Sequence, residues 1–435
     1  MSLPKYPHYK PSGVQWLGDV PAHWEVSALR RVVYFQRGHD LPSDQREEGD
    51  IPVVSSGGVT GTHSKAVASA PGIVTGRYGS IGNFSFIETD YWPLNTALYS
   101  IDLFGNSPRW AWYMLQSISE HFVLNSLKAA VPGVDRNDIH VVAVTVPSIA
   151  EQTAIAHFLD HETAKIDALI AEQEKLIHLL AEKRQATISH AVTRGLDPAA
   201  PMKDSGVAWL GEVPAHWTVT PLKHLVNFRS GGTPSKEKLN YWNGDVPWAS
   251  AKDMKTDRLA DTIDHITAVA IEEKAADLVP RGAVLVVVRG MILARMFPVS
   301  IVDTPMAINQ DLKAVIPGER IDSEFLAWLL RGTSDDSLRR LDEAGHGTKA
   351  LRMDAWASML LPVPPIPEQA RIAQFIEQEM TRLAQLQNEA ERAIALLKER
   401  RAALIAAAVT GQIDVRQNSE ILNGGESRDA VAALS

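Results

Sequence analysis

One stretch occurs twice. "SGVQWLGDVPAHW" runs from Ser12 to Trp24, and "SGVAWLGEVPAHW" runs from Ser205 to Trp217. Ser12–Val33 aligns with Ser205–Val226 at a constant offset of 193, with 14 of 22 positions identical, both tryptophans of each copy included. A second repeat follows at a different offset. "PSIAEQTAIAHFLDHE" (Pro147–Glu162) matches "PPIPEQARIAQFIEQE" (Pro364–Glu379) at 217, and that offset holds through to "AVTRGLD" (Ala191–Asp197) against "AVTGQID" (Ala408–Asp414). The chain is therefore a duplication in the order A–B–A′–B′, with the middle of the second copy 24 residues longer. A duplicated chain of 435 residues cannot fold round one core, and the expectation is two similar modules with an approximate internal twofold.

The B segments read as helices. Ile155, Phe158, Leu159, Ile166, Leu169, Ile170, Leu176, Ile177 and Leu180 recur at spacings of three, four and seven, as do Ile372, Phe375, Ile376, Leu383, Leu386, Ile394, Leu397 and Leu404. Ser148 with Glu151 is a capping-box pattern, and Pro367 suits a first turn where its missing N–H costs nothing. Gly195 and Gly411 sit where a left-handed residue would end each helix. Roughly 40 residues at about 1.5 Å each give about 60 Å, too long to bury inside a small domain. Each stripe then needs a partner. The other copy supplies one in a coiled coil, and the alternative is two separate helices lying on two globules.

The middles, about Val33–Val146 and Val226–Val363, carry short β-branched runs split by Gly, Pro, Ser and Asn, such as "GDVPWAS" and "RGAVLVVVRG". Helical patterns enter late, at "PRWAWYMLQSISEHF" and "SEFLAWLLRG". The expected fold class is mixed α+β: two globules, each followed by a long helix, the helices pairing as a coiled-coil spacer. The expected boundaries are globules at 1–146 and 196–363, helices at 147–195 and 364–412, and a disordered tail at 413–435. The middles match only at scattered points, among them Phe35 and Gly38 against Phe228 and Gly231. A scaffold that repeats while its globules diverge suggests two modules reading different targets.

Composition narrows the chemistry. The chain has no cysteine, which removes disulfides, thiolate metal sites and cysteine nucleophiles and suits a reducing cytoplasm. No run of 18 apolar residues marks a membrane span, and the N-terminus lacks the apolar core of a signal peptide. A net charge of −9 argues, taken alone, against nucleic-acid binding. "GTHSK" lacks the glycine spacing of a phosphate loop, and "GRYGSIG" (Gly76–Gly82) reads as a turn. His157 and His161 stand one helical turn apart, but Phe158 occupies the place a zinc-protease glutamate needs. No catalytic or metal site is expected, which shifts the weight towards a binding role.

Three ordered signals resemble a known family. They are the two opening stretches, "FRSGGTPSKEKLNYWNGDVPWASAKDM" (Phe228–Met254), and "VPPIPEQARIAQFI" (Val363–Ile376) echoed by "VPSIAEQTAIAHFL" (Val146–Leu159). Together they resemble the specificity subunits of type I restriction–modification enzymes, over the chain up to about residue 414. The first globule departs from the pattern, lacking the Gly-Gly-Thr-Pro run. The resemblance implies two target recognition domains, each reading half of a split, asymmetric DNA site. It implies two antiparallel helices that fix the half-site spacing, and a non-catalytic subunit. The implied partners are double-stranded DNA, two adenine-N6 methyltransferase subunits and two ATP-dependent motor-nuclease subunits. S-adenosylmethionine, ATP and Mg belong to those partners, and this subunit holds no cofactor. The alternatives are a catalytic nucleic-acid enzyme with unrecognised motifs and a coiled-coil scaffold with no DNA role.

Lys and Arg number 7 against 11 Asp and Glu across Tyr34–Ala143, and 17 against 19 across Asn227–Ala357, so neither reader is basic. Weak DNA binding by the isolated chain is expected, with partners supplying phosphate contacts. Candidate DNA contacts are polar side chains on loops. In the first module they are Ser56, Thr60, His63, Lys65, Arg77, Tyr78, Asn83 and Arg136. In the second they are Arg229, Thr233, Lys236, Tyr241, Lys252, Arg289, Lys349 and Arg352. Trp16, Trp24, Trp209 and Trp217 recur in both copies and are expected in the core, since readers of different targets should differ.

Overall fold

The structure is a computed structural model, and it describes residues 4–126, 133–343 and 347–416. The described residues divide into two compact units, one formed by residues up to 174 with 391–416 and the other by residues between 175 and 390. The division falls inside both long helices, Ile149–Arg194 and Ile366–Val409. Each unit thus holds one globule, the start of the helix that follows it, and the end of the other helix.

In the first unit an antiparallel sheet runs in the order Tyr34–Arg37, Ala97–Asp102, Gly72–Gly76, Phe84–Ile87. A smaller sheet pairs Gly58–His63 with Ile51–Ser55 and, in parallel, Ile51–Ser55 with Trp92–Pro93. Phe35, Ile73 and Leu98 of the large sheet join a core with Trp110, Met114 and Leu115 of the helix Pro108–Ser117. Ser107 caps that helix through Trp110 N–H, and Pro108 opens it, so the start read from "PRWAWYML" has a local cause.

Ile155, Phe158 and Leu159 meet Ile405, Ala408 and Val409 in the same core. Their pairing is antiparallel. Thr145, just before the first helix, donates to Val409 O at 2.6 Å, while Asp167 further along accepts from Arg401 Nε at 2.9 Å. Burying a side chain of this size contributes about 1.5–3 kcal/mol, so a few such contacts hold the helix end in place.

The second unit repeats the arrangement. Its large sheet runs Val226–Ser230, Leu312–Pro317, Val284–Val287, Val299–Val302, with Arg258–Leu259 added in parallel at the edge. Its smaller sheet orders Asp264–Ile266, Trp242–Ala249, Met306–Ile308, Leu278–Val279, and its Trp242–Ala249 and Met306–Ile308 strands are parallel. The first four strands of the large sheet and the parallel pair of the small one correspond to those of the first unit, although the sequences barely align.

The reason is that a sheet asks for apolar patterning, not identity. Identity survives where geometry forbids a side chain. A Cβ on Gly38 would come within 2.2 Å of Leu94 O, and one on Gly231 within 2.1 Å of Asn309 O. Ile188 and Val192 meet Ile372, Ile376 and Met380 in this unit's core.

The helix ends follow the sequence. Ser148 and Glu151 form the capping box, Ser148 Oγ donating to Glu151 Oε2 at 2.8 Å. Gly195 and Gly411 both adopt φ +76°. The apolar stripe is wider than the contact it makes: Ile155, Ile166, Leu180, Ile372 and Leu383 are buried, whereas Leu169, Leu176, Phe375 and Leu386 are exposed. Trp24 and Trp217 are fully buried, and Trp16 and Trp209 pack against the cores. The expected disordered tail lies, from residue 417, outside the described residues. Residues 414–416 are fastened down, with Val415 buried and Asp414 N–H donating to Pro4 O at 2.7 Å.

Candidate nucleic-acid interface

The candidate contacts of the first globule separate into three places. Ser56, Thr60 and Lys65 lie on or beside the hairpin of the smaller sheet. Thr60 is exposed with its Oγ1 donating to Val53 O at 3.3 Å, and Lys65 Nζ lies 3.7 Å from Glu47 Oε2. Arg77, Tyr78 and Arg136 line one groove together with Arg37. Asn83 lies apart from both, in a cleft with Gln116, Ser119 and Arg401.

His63 is corrected by its burial. It is 4% exposed, its Nδ1 accepts from Glu47 N–H at 3.0 Å, and its ring stands 5.2 Å from that of Trp92. It braces the loop that enters the hairpin and offers DNA no surface. The sequence places a histidine in a polar loop; only the return of residue 47 across it buries it.

In the second globule Tyr241 needs the same correction. It is 4% exposed, accepts from Lys238 Nζ at 2.7 Å, and donates to Glu273. The others are exposed or half-buried. Arg229 donates to Leu278 O at 2.5 Å, Thr233 hydrogen-bonds Gln310, and Lys236 makes no ion pair among the described residues. Lys252 is paired with Asp264 at 2.6 Å and Lys349 with Glu343 at 2.6 Å. Both pairs are solvent-facing, where an ion pair is cheaply exchanged for another anion.

Arg289 and Arg352 lie on one face of a short sheet and Lys349 on the other, since successive side chains of a strand alternate. Arg289–Gly290 pairs with Lys349–Leu351 in a three-stranded sheet, Arg289 opposite Ala350, and Arg352 follows directly.

Reasoning from polarity missed three apolar side chains that stand out from these surfaces: Val59 at 62% exposure, Met291 at 71% and Leu239 at 81%. Val59 flanks Thr60 on the hairpin, and Met291 follows the Arg289 strand. An exposed aliphatic group beside polar ones can meet a thymine methyl. Nothing in the sequence separates them from core residues, since only the fold decides which apolar side chains face out.

Burial also perturbs His140, at the end of the short helix that Arg136 begins. It is 5% exposed and its Nε2 accepts from Phe35 N–H at 3.0 Å. Burial, then the nearby Arg136 and Arg30 charges, hold its pKa below the ordinary histidine value. Among the described residues no group of three or more His, Asp or Glu could hold a metal ion, and no helix is long and apolar enough to cross a membrane.

Comparison with known proteins bears on both modules. The family model described as "Type I restriction modification DNA specificity domain" matches residues 21–178 and 214–394. The chain is 32% identical over 233 residues to the type I restriction enzyme EcoR124I/EcoR124II specificity subunit of Escherichia coli, covering 53% of this chain and 52% of that protein. The chain thus spans about half the length of that relative. It is 20% identical to the EcoDI specificity subunit of Escherichia coli over 95% of both chains. Among solved structures, a chain from a study of complex assembly and conformational transition of the type I R-M system superposes with a TM-score of 0.62 at 16% identity, over 90% of this chain and 98% of that one. The HsdS subunit from Thermoanaerobacter tengcongensis superposes at 0.51 and 15% identity, again over 90% of this chain and 98% of the other.

Proposed function

The chain belongs to the type I restriction–modification DNA specificity family, whose model covers both of its modules, and from that premise we propose that it is the sequence-reading subunit of a type I restriction–modification complex. Each globule reads one half of a split, asymmetric site on double-stranded DNA. The long helices set the spacing between half-sites. Two adenine-N6 methyltransferase subunits, which use S-adenosylmethionine, dock on the repeated scaffold. Two restriction subunits, which use ATP and Mg, join through them. The specificity subunit performs no chemistry, and it works in the cytoplasm.

One observation carries this reading. The two modules share sheet order and helix anchoring, while their exposed loops differ in sequence, length and charge. A shared frame suits two copies of one partner, and divergent loops suit two different half-sites. The candidate contacts are the exposed residues named above, with Ser56, Thr60 and Val59 reading bases in the first module.

The test is reconstitution. The purified chain is mixed with its methyltransferase subunits and S-adenosylmethionine, and methylated adenines are mapped on genomic DNA. Methylation at a single bipartite sequence, requiring both components, is expected. Methyl transfer by the chain alone would make it a catalytic enzyme instead. Methylation that ignores sequence would leave it a scaffold without a reading role.

A further inference from the structure

The first globule is poor in cations, and three of the six described between Tyr34 and Ala143 are already engaged. Lys65 lies 3.7 Å from Glu47, Arg109 2.7 Å from Asp160, and Arg46 donates to Thr60 O at 3.2 Å. Arg77 and Arg136 have no carboxylate partner among the described residues, and Arg37 has only a loose one, Asp40 at 3.9 Å. These three share one groove of about 410 Å³. The Arg77 guanidinium lies 4.8 Å over the Tyr78 ring, and that of Arg136 lies 5.9 Å from the Tyr34 ring.

The groove is braced by backbone. Val134 N–H donates to Arg77 O at 2.9 Å, and Gly133 lies so close on Tyr78 that a Cβ there would come within 2.5 Å of the ring. The one carboxylate in the groove, Asp135, accepts from Asn137 N–H at 2.8 Å and makes no ion pair among the described residues.

The second globule has one arginine at the corresponding place and another one residue away from it. Leu98 pairs with Thr75 in the first large sheet, and Leu312 pairs with Val287 in the second. Arg77 and Arg289 each stand two residues beyond. The offset of 217 carries Asp135–Arg136 onto Arg352–Met353, so Arg352 stands one residue before the position of Arg136, and each lies at the entrance to a short helix, Arg136–His140 or Met353–Ala357. A similar backbone link recurs one residue earlier, with Leu351 N–H donating to Val288 O at 2.8 Å. Arg289 makes no ion pair among the described residues, and Arg352 lies 3.7 Å from Asp342.

Side chains that read bases must differ between two modules with different half-sites. A cation pair that recurs where the surrounding sequence has diverged must serve what both half-sites share. Internal structure does not explain it, because the fold gives these arginines almost no acid to hold. What two half-sites share is the phosphate backbone. We propose, resting on the DNA-reading function above, that Arg77 with Arg136 and Arg289 with Arg352 form similarly placed phosphate clamps, one in each module, with Arg37 joining the first. They fix the register in which the divergent loops meet base edges and read no sequence themselves.

The test uses the full chain assembled with its methyltransferase subunits. Binding is measured by fluorescence anisotropy on a duplex carrying the methylated site and on one with a half-site scrambled, between about 50 and 200 mM salt. R77A/R136A and R289A/R352A are each expected to weaken binding to both duplexes alike, by about tenfold per arginine, and to flatten the salt dependence by about one unit of slope per lost contact. The mapped methylation sequence stays the same. R77K/R136K keeps the charge and most of the affinity, which separates loss of contact from loss of fold. Unchanged affinity and slope would overturn the proposal, as would a shift in the sequence methylated. If the unvaried complex cannot tell the two duplexes apart, it is the DNA-reading function that fails.

Discussion

His23 Nε2 lies 2.8 Å from Glu151 Oε1, a carboxylate 128 residues further along the chain. His216 Nε2 lies 2.7 Å from Glu368 Oε2 in the other unit. The repeated "PAHW" is therefore a fastening. It ties the entry of each globule to the first turn of the helix that leaves it.

The two fastenings are unequal. Trp24 Nε1 also donates to Glu151 Oε1 at 3.1 Å, whereas Trp217 Nε1 is buried with no partner among the described residues. Burial pushes the Glu151 carboxyl up, but hydrogen bonds from His23, Trp24 and Ser148 outweigh it and hold the group below the ordinary value. Glu151→Ala should then cost about 1–3 kcal/mol by orphaning buried donors, and Glu368→Ala less. Hydrogen exchange at the two helix starts is the measure, and equal effects would contradict the asymmetry.

Gly411 should be harder to replace than Gly195. Both have φ +76°, but a Cβ on Gly411 would come within 2.4 Å of Pro21 and 2.9 Å of Trp24, while the nearest atom to one on Gly195 is 3.2 Å away. Left-handed strain of about 1–3 kcal/mol applies to both, and overpacking adds about 1–3 kcal/mol at Gly411 alone. Thermal denaturation of Gly411→Ala and Gly195→Ala should rank them in that order.

His140 should make the first unit acid-sensitive. Its lowered folded value means the unfolded chain binds the proton more tightly. The stability it contributes is full above the unfolded value, about 6.5, and is lost as the pH falls below it through the lowered folded value. A protonated ring could no longer accept from Phe35 N–H. Melting temperature followed from pH 7.5 downward should fall less in His140→Gln, whose side-chain oxygen can accept that bond without titrating.

Replacing residues 55–62 of the first hairpin with an unrelated polar turn should change the first half-site and leave the second intact. Ser56, Val59 and Thr60 lie there, and no part of the hairpin enters the helix cores. Mapping methylated adenines reads the result directly, and a change in both halves would show that the hairpin acts on the scaffold.

Prolines at Ala168 and Gln385, both exposed inside the long helices, should abolish assembly with the methyltransferase subunits by breaking the helices they need. Size-exclusion chromatography of the mixture checks this. An intact complex from the double variant would remove the helices from the docking surface.

The sequence by itself determined the architecture's grammar. Duplication, helix starts and stops, and the buried tryptophans are local or periodic properties, and a capping box or a left-handed glycine states its structure within four residues. It did not determine which piece belongs to which unit. Thr145 bonds Val409 O and Tyr9 bonds Gly411 O across hundreds of residues, and no local signal encodes a partner so distant. Nor did it determine the site. His63 and Tyr241 look like surface polar residues and are buried, while Met291 and Val59 look like core residues and face out. Arg77 and Arg289 correspond only through strand register, because sheets preserve the pairing of backbone groups while their side chains change. Tertiary structure decided these matters because exposure and convergence are properties of how elements pack, and packing is fixed by contacts between residues far apart in the chain.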